Sequence, residues 1–399
     1  MKYVVLIIDG AAGLPIIEYN RKTSLELANT PNLDRMARQG KVGLIRTVPD
    51  GMEPSSACAC MTILGYDPTL YYQGRAAIES AGMGITIQDD EVVFRCNLVS
   101  ISDGKMSDYS SGHISTHEAK DLIASLNMNL GNDQVQFFSG VSYRNICKIK
   151  GCEEVLQAEC TPPHDISGRC ITNFLPIGSG SEILRDLMKR SEEVLSKHPV
   201  NTTRRDRGET TATSIWLFWG SRKNLEMPSF EDIFGIKAVM TSGVDLLRGL
   251  AQLVNIDMLS IPGVTGDLDN DYVAQVIEGM AALSAYDLLI IHVEAPDEAG
   301  HAGSIDEKIE AIERIDSEMI GRLQEYADYC PDKLKLLIMP DHPTPITVRT
   351  HISTPVPFLL WGSGFNSNGA KRLTESEAQK TGLLLDPGYI IMSNLIGNI

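Results

Sequence analysis

Short apolar runs recur along this chain, and an acidic or imidazole side chain lies at or just beyond the end of several of them. Residues 3–8 form an uninterrupted apolar run that is followed by Asp9, and residues 334–339 lead to Asp341. Runs of this length are typical of parallel strands that are buried on both faces. Ligands of open α/β sheets bind at the carboxyl edge of the strands. The pattern therefore predicts an α/β fold with a polar site at that edge.

The length of the chain and a change in its texture predict two domains. A chain of 399 residues is too long for one ordinary core. The alternating α/β pattern occupies residues 1–82 and 230–399, which we predict to form one metal-binding catalytic domain. Residues 83–229 mix short strand-like runs with helical stretches and contain none of the candidate ligands. We predict that they form an inserted, smaller α+β domain that covers the site and binds the substrate.

Apolar runs and capping signals define the individual elements. The predicted strands are residues 3–8, 42–48, 91–96, 143–149, 215–219, 236–240, 288–293, 334–339 and 356–361. One helix is predicted to start at Thr30 and Pro31 and to end at Gly40. Other helices are predicted after the capping box of Ser115 with Glu118, over residues 181–197, and after the cap Ser304 with Glu307 three residues on.

Charge and hydropathy exclude several classes of partner. The formal net charge of −17 argues against a nucleic acid or an anionic membrane, because both bind basic surfaces. The apolar run at the N-terminus is too short for a signal sequence or a membrane span, and no other run reaches membrane length. We therefore predict a cytoplasmic protein.

The cysteines form no paired CxxC pattern. They are Cys58, Cys60, Cys96, Cys147, Cys152, Cys160, Cys170 and Cys330. In a cytosolic chain of this size, reduced and partly buried thiols are expected. A zinc site formed by the four cysteines between residues 147 and 170 is an alternative, although their spacing fits no common zinc knuckle.

Candidate metal ligands and one serine are spread over most of the chain. They are Asp9, Ser56, Asp297, His301, Asp341, His342 and His351. Oxygen and nitrogen donors of this kind suit hard or borderline divalent metals, and two such ions could share the set. We prefer manganese; zinc, magnesium or cobalt stay open because mixed sites discriminate weakly between metals. The chemistry that this set suggests is phosphoryl transfer.

The spacing of the ligands suggests how they act. We expect Asp297 and His301 to lie in a loop beyond the strand 288–293, where Gly300 would allow the bend. Asp341 and His342 are adjacent and should point in opposite directions, so that each could serve one of two neighbouring ions. His351 would complete the site from a polar loop.

Ser56 is the candidate nucleophile, with Ser55 as its neighbour and competitor. A serine hydroxyl attacks poorly at neutral pH unless a base or a metal activates it. The alternative is that both serines only cap the helix that follows. The two interpretations are compatible, because a helix N-terminus also favours anions.

Several strings carry a resemblance to a known family. RTVPDGMEPSSACACMTILGYDPTLYYQGRAAIESAGMGI resembles the corresponding stretch of the archaeal-type cofactor-independent phosphoglycerate mutases. TPNLDRMARQG, DEAGH and the PDH motif with its later histidine resemble motifs of the wider alkaline phosphatase superfamily. The similarity extends over nearly the whole chain. It implies an alkaline-phosphatase-like fold, in which a mostly parallel sheet carries helices on both faces and a smaller α+β cap domain is inserted.

The resemblance also implies a role for each ligand. One metal would be held by Asp9, Ser56, Asp341 and His342, and the other by Asp297, His301 and His351. By register, Ser56 rather than Ser55 would carry the phosphoryl group. The family usually has Gly-Ser-Asp where this chain has Ser55, Ser56 and Ala57, so the carboxylate beside the nucleophile is absent. Cys58 and Cys60 also replace residues that are commonly Thr or Val and His or Asn.

Substrate phosphate and carboxylate groups would need guanidinium or other basic partners. The candidates are Arg75, His164, Asp165, Arg169, Arg204 and Lys237. For each of them, a solvated surface charge or a local salt bridge is the competing explanation.

The resemblance implies that 3-phosphoglycerate and 2-phosphoglycerate interconvert through a phosphoserine, with no bisphosphoglycerate cofactor. The partner would then be a small phosphorylated metabolite. The ligand set by itself supports a dinuclear metal-dependent phosphotransferase. Alternatives are a related enzyme acting on another small metabolite, such as a homoserine-kinase-like enzyme, a phosphatase, or an inactive binding protein that retained the metals.

Overall fold

The computed structural model describes residues 1–329 and 334–397, so Cys330 lies outside the described residues. These residues form two compact units. Unit 1 comprises Met1–Tyr72 and Glu226–Ile399, and unit 2 comprises Gln73–Leu225.

Strands occur in both units. In chain order they are β1 (Lys2–Ile8), β2 (Lys41–Ile45), β3 (Glu91–Ser102), β4 (Lys105–Asp108), β5 (Val135–Phe138), β6 (Arg144–Lys150), β7 (Ser214–Ser221), β8 (Ala238–Thr241), β9 (Asp257–Met258), β10 (Leu288–Val293), β11 (Leu334–Met339), β12 (Val356–Gly362) and β13 (Leu384–Leu385).

Helices separate most of these strands. They are α1 (Ser24–Leu27), α2 (Pro31–Gln39), α3 (Ser56–Ile63), α4 (Pro68–Tyr71), α5 (Arg75–Gly82), α6 (Thr116–Leu130), α7 (Ser181–Ser196), α8 (Pro199–Asp206), α9 (Phe230–Phe234), α10 (Asp245–Leu253), α11 (Tyr272–Ala282), α12 (Ala295–Ala302), α13 (Ile305–Arg314), α14 (Gly321–Tyr329), α15 (Glu375–Lys380) and α16 (Ile391–Ile396). None of the described helices combines the length and the apolar character that crossing a bilayer requires.

Unit 1 is built around an eight-stranded sheet with the order β13-β2-β12-β11-β1-β10-β8-β9. The pairs around β1, β10 and β8 are parallel, whereas β12 runs antiparallel to both β11 and β2. The prediction of an α/β fold with a mostly parallel sheet is therefore confirmed.

The strand β1 lies at the centre of this sheet, between β10 and β11. Val4, Val5, Leu6 and Ile7 are completely buried, as the uninterrupted apolar run predicts. The register pairs Ile7 with both His292 and Met339, so the carboxyl ends of all three strands meet at one edge. The segments that follow these strands carry most of the predicted metal ligands to that edge.

Unit 2 contains a five-stranded sheet in which the long strand β3 pairs with β4, β6 and β7, all antiparallel. Val92, Phe94 and Cys96 point towards an apolar core that the helices α6 and α7 complete. Val93 faces the opposite side, where it packs with Ala76 and Ala77 of α5. Burial on both faces explains why β3 continues to Ser102, beyond the predicted end at residue 96.

The units do not divide at the predicted positions. Sequence texture placed the insertion at residues 83–229, whereas the second unit runs from Gln73 to Leu225. Helix α5 belongs to this unit because it packs against β3 and β7. These contacts join α5 to strands that follow it in the chain, so the local pattern did not show where the unit begins.

Capping predictions have mixed outcomes. The capping box of Ser115 with Glu118 is present, and Ser304 Oγ accepts a hydrogen bond from the amide of Glu307. Helix α2 begins at Pro31 as predicted, but the Thr30 side chain makes no capping hydrogen bond. Its N-terminal amides are instead bound by Asp316, from the π-helical turn Ile315–Ile320 that joins α13 to α14.

Candidate metal centre and active site

The seven predicted ligands all lie in unit 1, at or near the carboxyl edge of its sheet. Asp9 directly follows β1, and Asp341 follows β11 after one proline. The side chains of Asp9, Asp297, Asp341 and His342 are almost completely buried. Buried carboxylates at this density are unfavourable unless cations or hydrogen bonds compensate their charge.

Asp297 and His301 lie on a helix, and the prediction of a loop was wrong. Helix α12 starts immediately after β10, accommodates Pro296 in its first turn and ends at Gly303 in a left-handed conformation. One helical turn therefore places the two side chains on the same face, with His301 Nε2 3.1 Å from Asp297 Oδ2. Gly300 serves a different purpose from the one expected, because a Cβ there would overlap the carbonyl oxygen of Thr344.

His351 joins this helical pair from the loop before β12. Its Nε2 lies 2.9 Å from the Nε2 of His301 and 3.5 Å from Asp297 Oδ1. These three residues form one group whose potential ligand atoms lie within 4.8 Å of one another. Two imidazole nitrogens and a carboxylate at this separation suit a divalent metal ion with mixed ligands.

Ser56 lies beside a second group of predicted ligands. Its Oγ is 3.1 Å from His342 Nε2, and it is only 5% exposed. The same His342 nitrogen lies 3.5 Å from Asp9 Oδ1 and 3.3 Å from Asp341 Oδ2. The hydroxyl therefore contacts an imidazole that itself lies beside two carboxylates.

Asp341 and His342 do not point in opposite directions, so that expectation was wrong. The Oδ2 of Asp341 lies 3.3 Å from His342 Nε2, so the two side chains converge. They can do so because both residues lie beyond the end of β11, where the alternation of a strand no longer applies. This arrangement matches the assignment implied by the family resemblance, in which one ion binds both residues. The two ligand groups adjoin, since the ring centroids of His342 and His351 are 4.0 Å apart.

The two serines have different partners. Ser55 is the N-cap of α3, and its Oγ accepts a hydrogen bond from the amide of Cys58. Ser56 occupies the first helical position, with its hydroxyl directed towards His342. Capping therefore accounts for Ser55 but leaves the orientation of Ser56 unexplained. The start of a helix favours negative charge, as a transferred phosphoryl group would require.

The unpaired groups of the cluster fit divalent cations. Asp9 Oδ1 is buried and has no hydrogen-bond partner among the described residues. Around the other group, the facing nitrogens of His301 and His351 cannot both donate to each other. Metal ions would satisfy both arrangements at once. The residues present therefore fit the two-ion site that the sequence predicts.

Burial and neighbouring charge set the protonation of the group around Ser56. Burial raises the pKa of Asp9, and the carboxylates of Asp341 and Glu294 raise it further. Burial lowers the pKa of His342 to about 4, so its imidazole is neutral at pH 7. A neutral imidazole can offer a lone pair to a metal, and a bound cation would favour the ionised form of Asp9.

In the group of Asp297, His301 and His351, neighbouring charges and hydrogen bonds outweigh the effect of burial on the pKa values of Asp297 and His301. Burial opposes ionisation of Asp297, but His351 and His301 outweigh it and hold its pKa well below the usual range. Burial also opposes charge on His301, yet the hydrogen bond and charge of Asp297 raise its pKa to about 9. Without a metal, this group is held together as ion pairs. A divalent ion would take over the role of the imidazolium protons.

A buried lysine organises the backbone beneath the cluster. Lys308 of α13 is completely buried, and its Nζ donates to the carbonyl oxygens of Gly10, Ala12 and Thr344. Burial lowers its pKa to about 8. One ammonium group thus joins the loops that follow β1 and β11, which carry Asp9 and the adjacent ligand pair.

The two cysteines of α3 are packed beneath the serine. Burial raises the pKa of Cys58 to about 12 and that of Cys60 well above its usual range. Both are therefore thiols at neutral pH. The Sγ of Cys60 lies 3.7 Å from Asp341 Oδ2, so this thiol contacts a predicted ligand.

The four cysteines between residues 147 and 170 form no metal-type group. Each is a free cysteine, and none belongs to a cluster of potential ligands within the described parts of the chain. Cys147 is buried, whereas Cys170 is exposed. The zinc alternative therefore has no support.

Five of the six candidate substrate residues belong to unit 2. Arg75 donates to Glu79, and its guanidinium lies 4.6 Å from the ring centroid of Trp219. The imidazole of His164 also approaches this indole, with 5.6 Å between the ring centroids, and Asp165 follows it in the same turn. Arg75 and His164 thus both lie close to one aromatic side chain, Trp219.

The other three candidates have different surroundings. The Arg169 guanidinium stacks on the ring of Phe174. Arg204 is buried, and it bonds to Glu118 and to the carbonyl oxygens of residues 111 and 210, so its position is accounted for by internal structure. Lys237 precedes β8 and lies beside Asp287, at the sheet edge opposite the ligand cluster. Its role as a substrate ligand is therefore not supported by its position.

Sequence reasoning missed several residues of the site. His292 lies 2.8 Å from Asp9 Oδ2, and Thr344 is hydrogen-bonded to Asp297. Lys308 and Glu294 also reach the cluster from neighbouring elements. His292 is hidden in an apolar strand, and Lys308 in an amphipathic helix. The signal in the sequence that could have revealed them is a charged or imidazole side chain within an apolar run or at an apolar position of a helix.

Comparisons with known proteins identify the family. The family model described as 2,3-bisphosphoglycerate-independent phosphoglycerate mutase matches residues 37–201. A protein of Methanosarcina barkeri with that name is 42% identical over 400 residues, which cover 100% of this chain and 98% of the relative. The chain belongs to the 2,3-bisphosphoglycerate-independent phosphoglycerate mutase family.

One further relative and one solved structure are also similar to this chain. The 2,3-bisphosphoglycerate-independent phosphoglycerate mutase 2 of Methanothermobacter thermautotrophicus is 44% identical and covers 94% of this chain and 92% of its own. A Pyrococcus horikoshii protein of known structure has a TM-score of 0.80 at 28% identity, covering 100% and 98% of the two chains. The resemblance predicted from the sequence motifs is confirmed.

Proposed function

We propose that the chain interconverts 3-phosphoglycerate and 2-phosphoglycerate without a bisphosphoglycerate cofactor, by way of phosphoserine at Ser56. The observation that carries this proposal is the 3.1 Å contact between Ser56 Oγ and His342 Nε2 inside a buried group of ligands. Membership in the mutase family supplies the substrate class. A serine that only capped its helix would have no reason to face that group.

The ligand residues form two sets. Asp9, Ser56, Asp341 and His342 would hold one ion, and Asp297, His301 and His351 the other. When bound, two divalent ions, manganese by preference, would favour the serine alkoxide and neutralise the phosphoryl oxygens. The unpaired Oδ1 of Asp9 and the facing imidazoles of His301 and His351 support this division.

The chain's own residues then carry out a double displacement. Ser56 Oγ forms a bond to phosphorus while the bond from phosphorus to the substrate oxygen breaks, which releases glycerate. The glycerate reorients, its other hydroxyl attacks the phosphoserine, and Ser56 is regenerated. Arg75, His164 and Arg169 are proposed to bind the substrate anions; Asp165 would orient His164. Water must be excluded during the glycerate stage, since hydrolysis would make the enzyme a phosphatase.

The neighbouring serines offer a matched pair of variants. Ser56→Ala removes the proposed nucleophile, so we expect mutase activity to fall by at least ~10³-fold. Ser55→Ala removes only the helix cap, which should cost about 1 kcal/mol of stability and leave most of the activity. The measurement is an enolase-coupled assay with 3-phosphoglycerate and manganese, without added bisphosphoglycerate.

Mass spectrometry of the quenched reaction locates the phosphoryl group. We expect a phosphopeptide containing Ser56 in the wild-type chain and in Ser55→Ala, and none in Ser56→Ala. Full activity of Ser56→Ala, or a wild-type chain that forms no 2-phosphoglycerate, would show that the proposal is wrong.

A further inference from the structure

His292 is a buried histidine that neither the ligand sets nor the proposed mechanism uses. It lies in β10, beside Ile7 of β1, and only 1% of its surface is exposed. Its Nε2 lies 2.8 Å from Asp9 Oδ2, and its Nδ1 lies 3.0 Å from the Oγ of Ser242. Both ring nitrogens are therefore engaged, and one of them contacts a predicted metal ligand.

The hydrogen-bond directions around His292 can be assigned from its partners. The amide of Val244 donates to Ser242 Oγ, which leaves the serine hydroxyl hydrogen available for His292 Nδ1. An ionised Asp9 can only accept, so the proton of the ring must be on Nε2. An Nε2–H donor then satisfies every partner in the chain of hydrogen bonds from Val244 to Asp9.

This chain of bonds gives the two oxygens of Asp9 different environments. Oδ2 accepts from His292, whereas Oδ1 is buried without a hydrogen-bond partner among the described residues. Oδ1 is also the oxygen nearest to His342 Nε2, at 3.5 Å. The bond to His292 therefore turns the free oxygen of the carboxylate towards the group that contains Ser56.

We propose that His292 is a positioning residue, which holds Asp9 through an Nε2–H donor and thereby strengthens metal binding beside Ser56. The inference rests on the two-ion function proposed above. Groups that orient a metal ligand in this way typically change metal affinity by 10–100-fold when they are removed. Ser242 takes part by keeping the proton of His292 on Nε2.

A further cation between Asp9, His292 and Glu294 is the competing arrangement, because these residues form a group of potential ligands. Such an ion would displace the proton from Nε2 to Nδ1, which would then donate to Ser242 Oγ. That oxygen already accepts from the Val244 amide, and its own hydrogen would have no acceptor among the described contacts. The geometry therefore favours the hydrogen bond.

Mn²⁺ titration of the full-length, metal-stripped chain tests the proposal without relying on activity. His292→Leu removes the donor, and we expect the ion next to Ser56 to bind about 10–100-fold more weakly. His292→Gln keeps an N–H donor near the Nε2 position and should recover most of the affinity. Gln275→Leu is the matched control. Gln275 is equally buried, but among the described residues its side chain bonds only to the main-chain carbonyl of His292 and to Asn270.

Three results would overturn the proposal. They are unchanged Mn²⁺ affinity in His292→Leu, equal weakening in His292→Gln and His292→Leu, and loss of a third Mn²⁺ while two bind as in the wild type. Thermal unfolding in the presence of chelator checks that the Leu and Gln275 variants are folded to the same extent.

The tautomer supplies a test that does not depend on metal affinity. The ¹⁵N spectrum of the wild-type chain saturated with diamagnetic Mg²⁺, which favours the ionised form of Asp9, should show His292 protonated on Nε2. The signal is assigned by its loss in His292→Gln. Protonation on Nδ1 would overturn the inference whatever the enzyme does. Conversely, a chain with this tautomer and tight Mn²⁺ binding but no mutase activity would contradict the proposed function alone.

Discussion

Glu79 and Arg95 show how single residues of unit 2 hold charge in its interior. The Arg95 side chain is 4% exposed, and it bonds to both carboxylate oxygens of Glu79, which also accepts from Arg75. Burial opposes ionisation of Glu79, but the two guanidinium groups outweigh it and hold its pKa below the usual value. The pair thus depends on both partners being charged.

Glu79→Gln should destabilise the fold at neutral pH, because it leaves the buried Arg95 without a counter-charge. Breaking such a pair typically costs about 3–5 kcal/mol of unfolding free energy. The folded-state pKa is depressed, so the stabilisation is present above the unfolded value of about 4.3 and is lost as pH falls through the folded value.

Urea unfolding at pH 7 and at several pH values below 4.3 measures this effect. The difference between wild type and Glu79→Gln should be largest at pH 7 and should shrink in acid. Glu193→Gln is the control, since Glu193 forms an exposed pair with Lys197 and should change stability little at any pH. A difference that grew in acid would contradict the assigned direction of the shift.

At the scale of elements, one carboxylate caps a helix from a distant part of the chain. Asp316 lies in the π-helical turn between α13 and α14, and it accepts hydrogen bonds from the amides of Asn32 and Leu33. These amides would otherwise be unsatisfied at the start of α2. A negative charge there also interacts favourably with the helix dipole.

Asp316→Ala should therefore lower the unfolding free energy by about 1.5–3 kcal/mol, as expected for lost hydrogen bonds to a charged group. Thr30→Ala is the control, because the Thr30 side chain makes no capping bond to α2 and should have a smaller effect. Chemical denaturation of both variants gives the comparison. Equal losses, or a larger loss for Thr30→Ala, would show that the local threonine caps the helix after all.

At the scale of the whole molecule, the predicted ions connect segments that are far apart in the sequence. Their ligands come from the ends of β1 and β11, the start of α3, helix α12 and the loop before β12. All of these belong to unit 1. An ion that binds only the folded arrangement stabilises it according to its concentration and affinity.

Removing metal should therefore destabilise unit 1 more than unit 2. At Mn²⁺ concentrations of 100 times the dissociation constant, each site contributes about 2.7 kcal/mol. Calorimetry with chelator and then with restored Mn²⁺ measures the change in unfolding temperature. Hydrogen exchange then shows which unit is stabilised. The Asp297→Asn variant should respond less. Equal protection of both units by Mn²⁺ would contradict the assignment of every ligand to unit 1.

Local patterns in the sequence were sufficient for much of the fold. The apolar runs at residues 288–293 and 334–339 coincide with β10 and β11, because completely buried strands must be apolar on both faces. The capping box of Ser115 with Glu118 also occurs as predicted. Those features depend on neighbours within a few residues, which the sequence shows directly.

The candidate metal ligands could also be predicted, since each of them follows a recognisable element or belongs to a family motif. The directions of the side chains could not be predicted from the sequence. Whether Asp341 and His342 diverge or point together depends on the backbone beyond β11, and whether α12 is a helix depends on Gly300 admitting the carbonyl of Thr344. Those contacts join residues more than forty positions apart along the chain.

The sequence by itself determined most of the strands, although not β4, β5, β9 and β13. It also determined which candidate ligands gather at one sheet edge and which family the chain belongs to. Only the tertiary structure decided that the side chains of Asp341 and His342 converge, and that His292 reaches Asp9. The physical reason is that apolar periodicity is a local consequence of burial. The orientation of a buried polar group is set by partners brought together from distant parts of the chain.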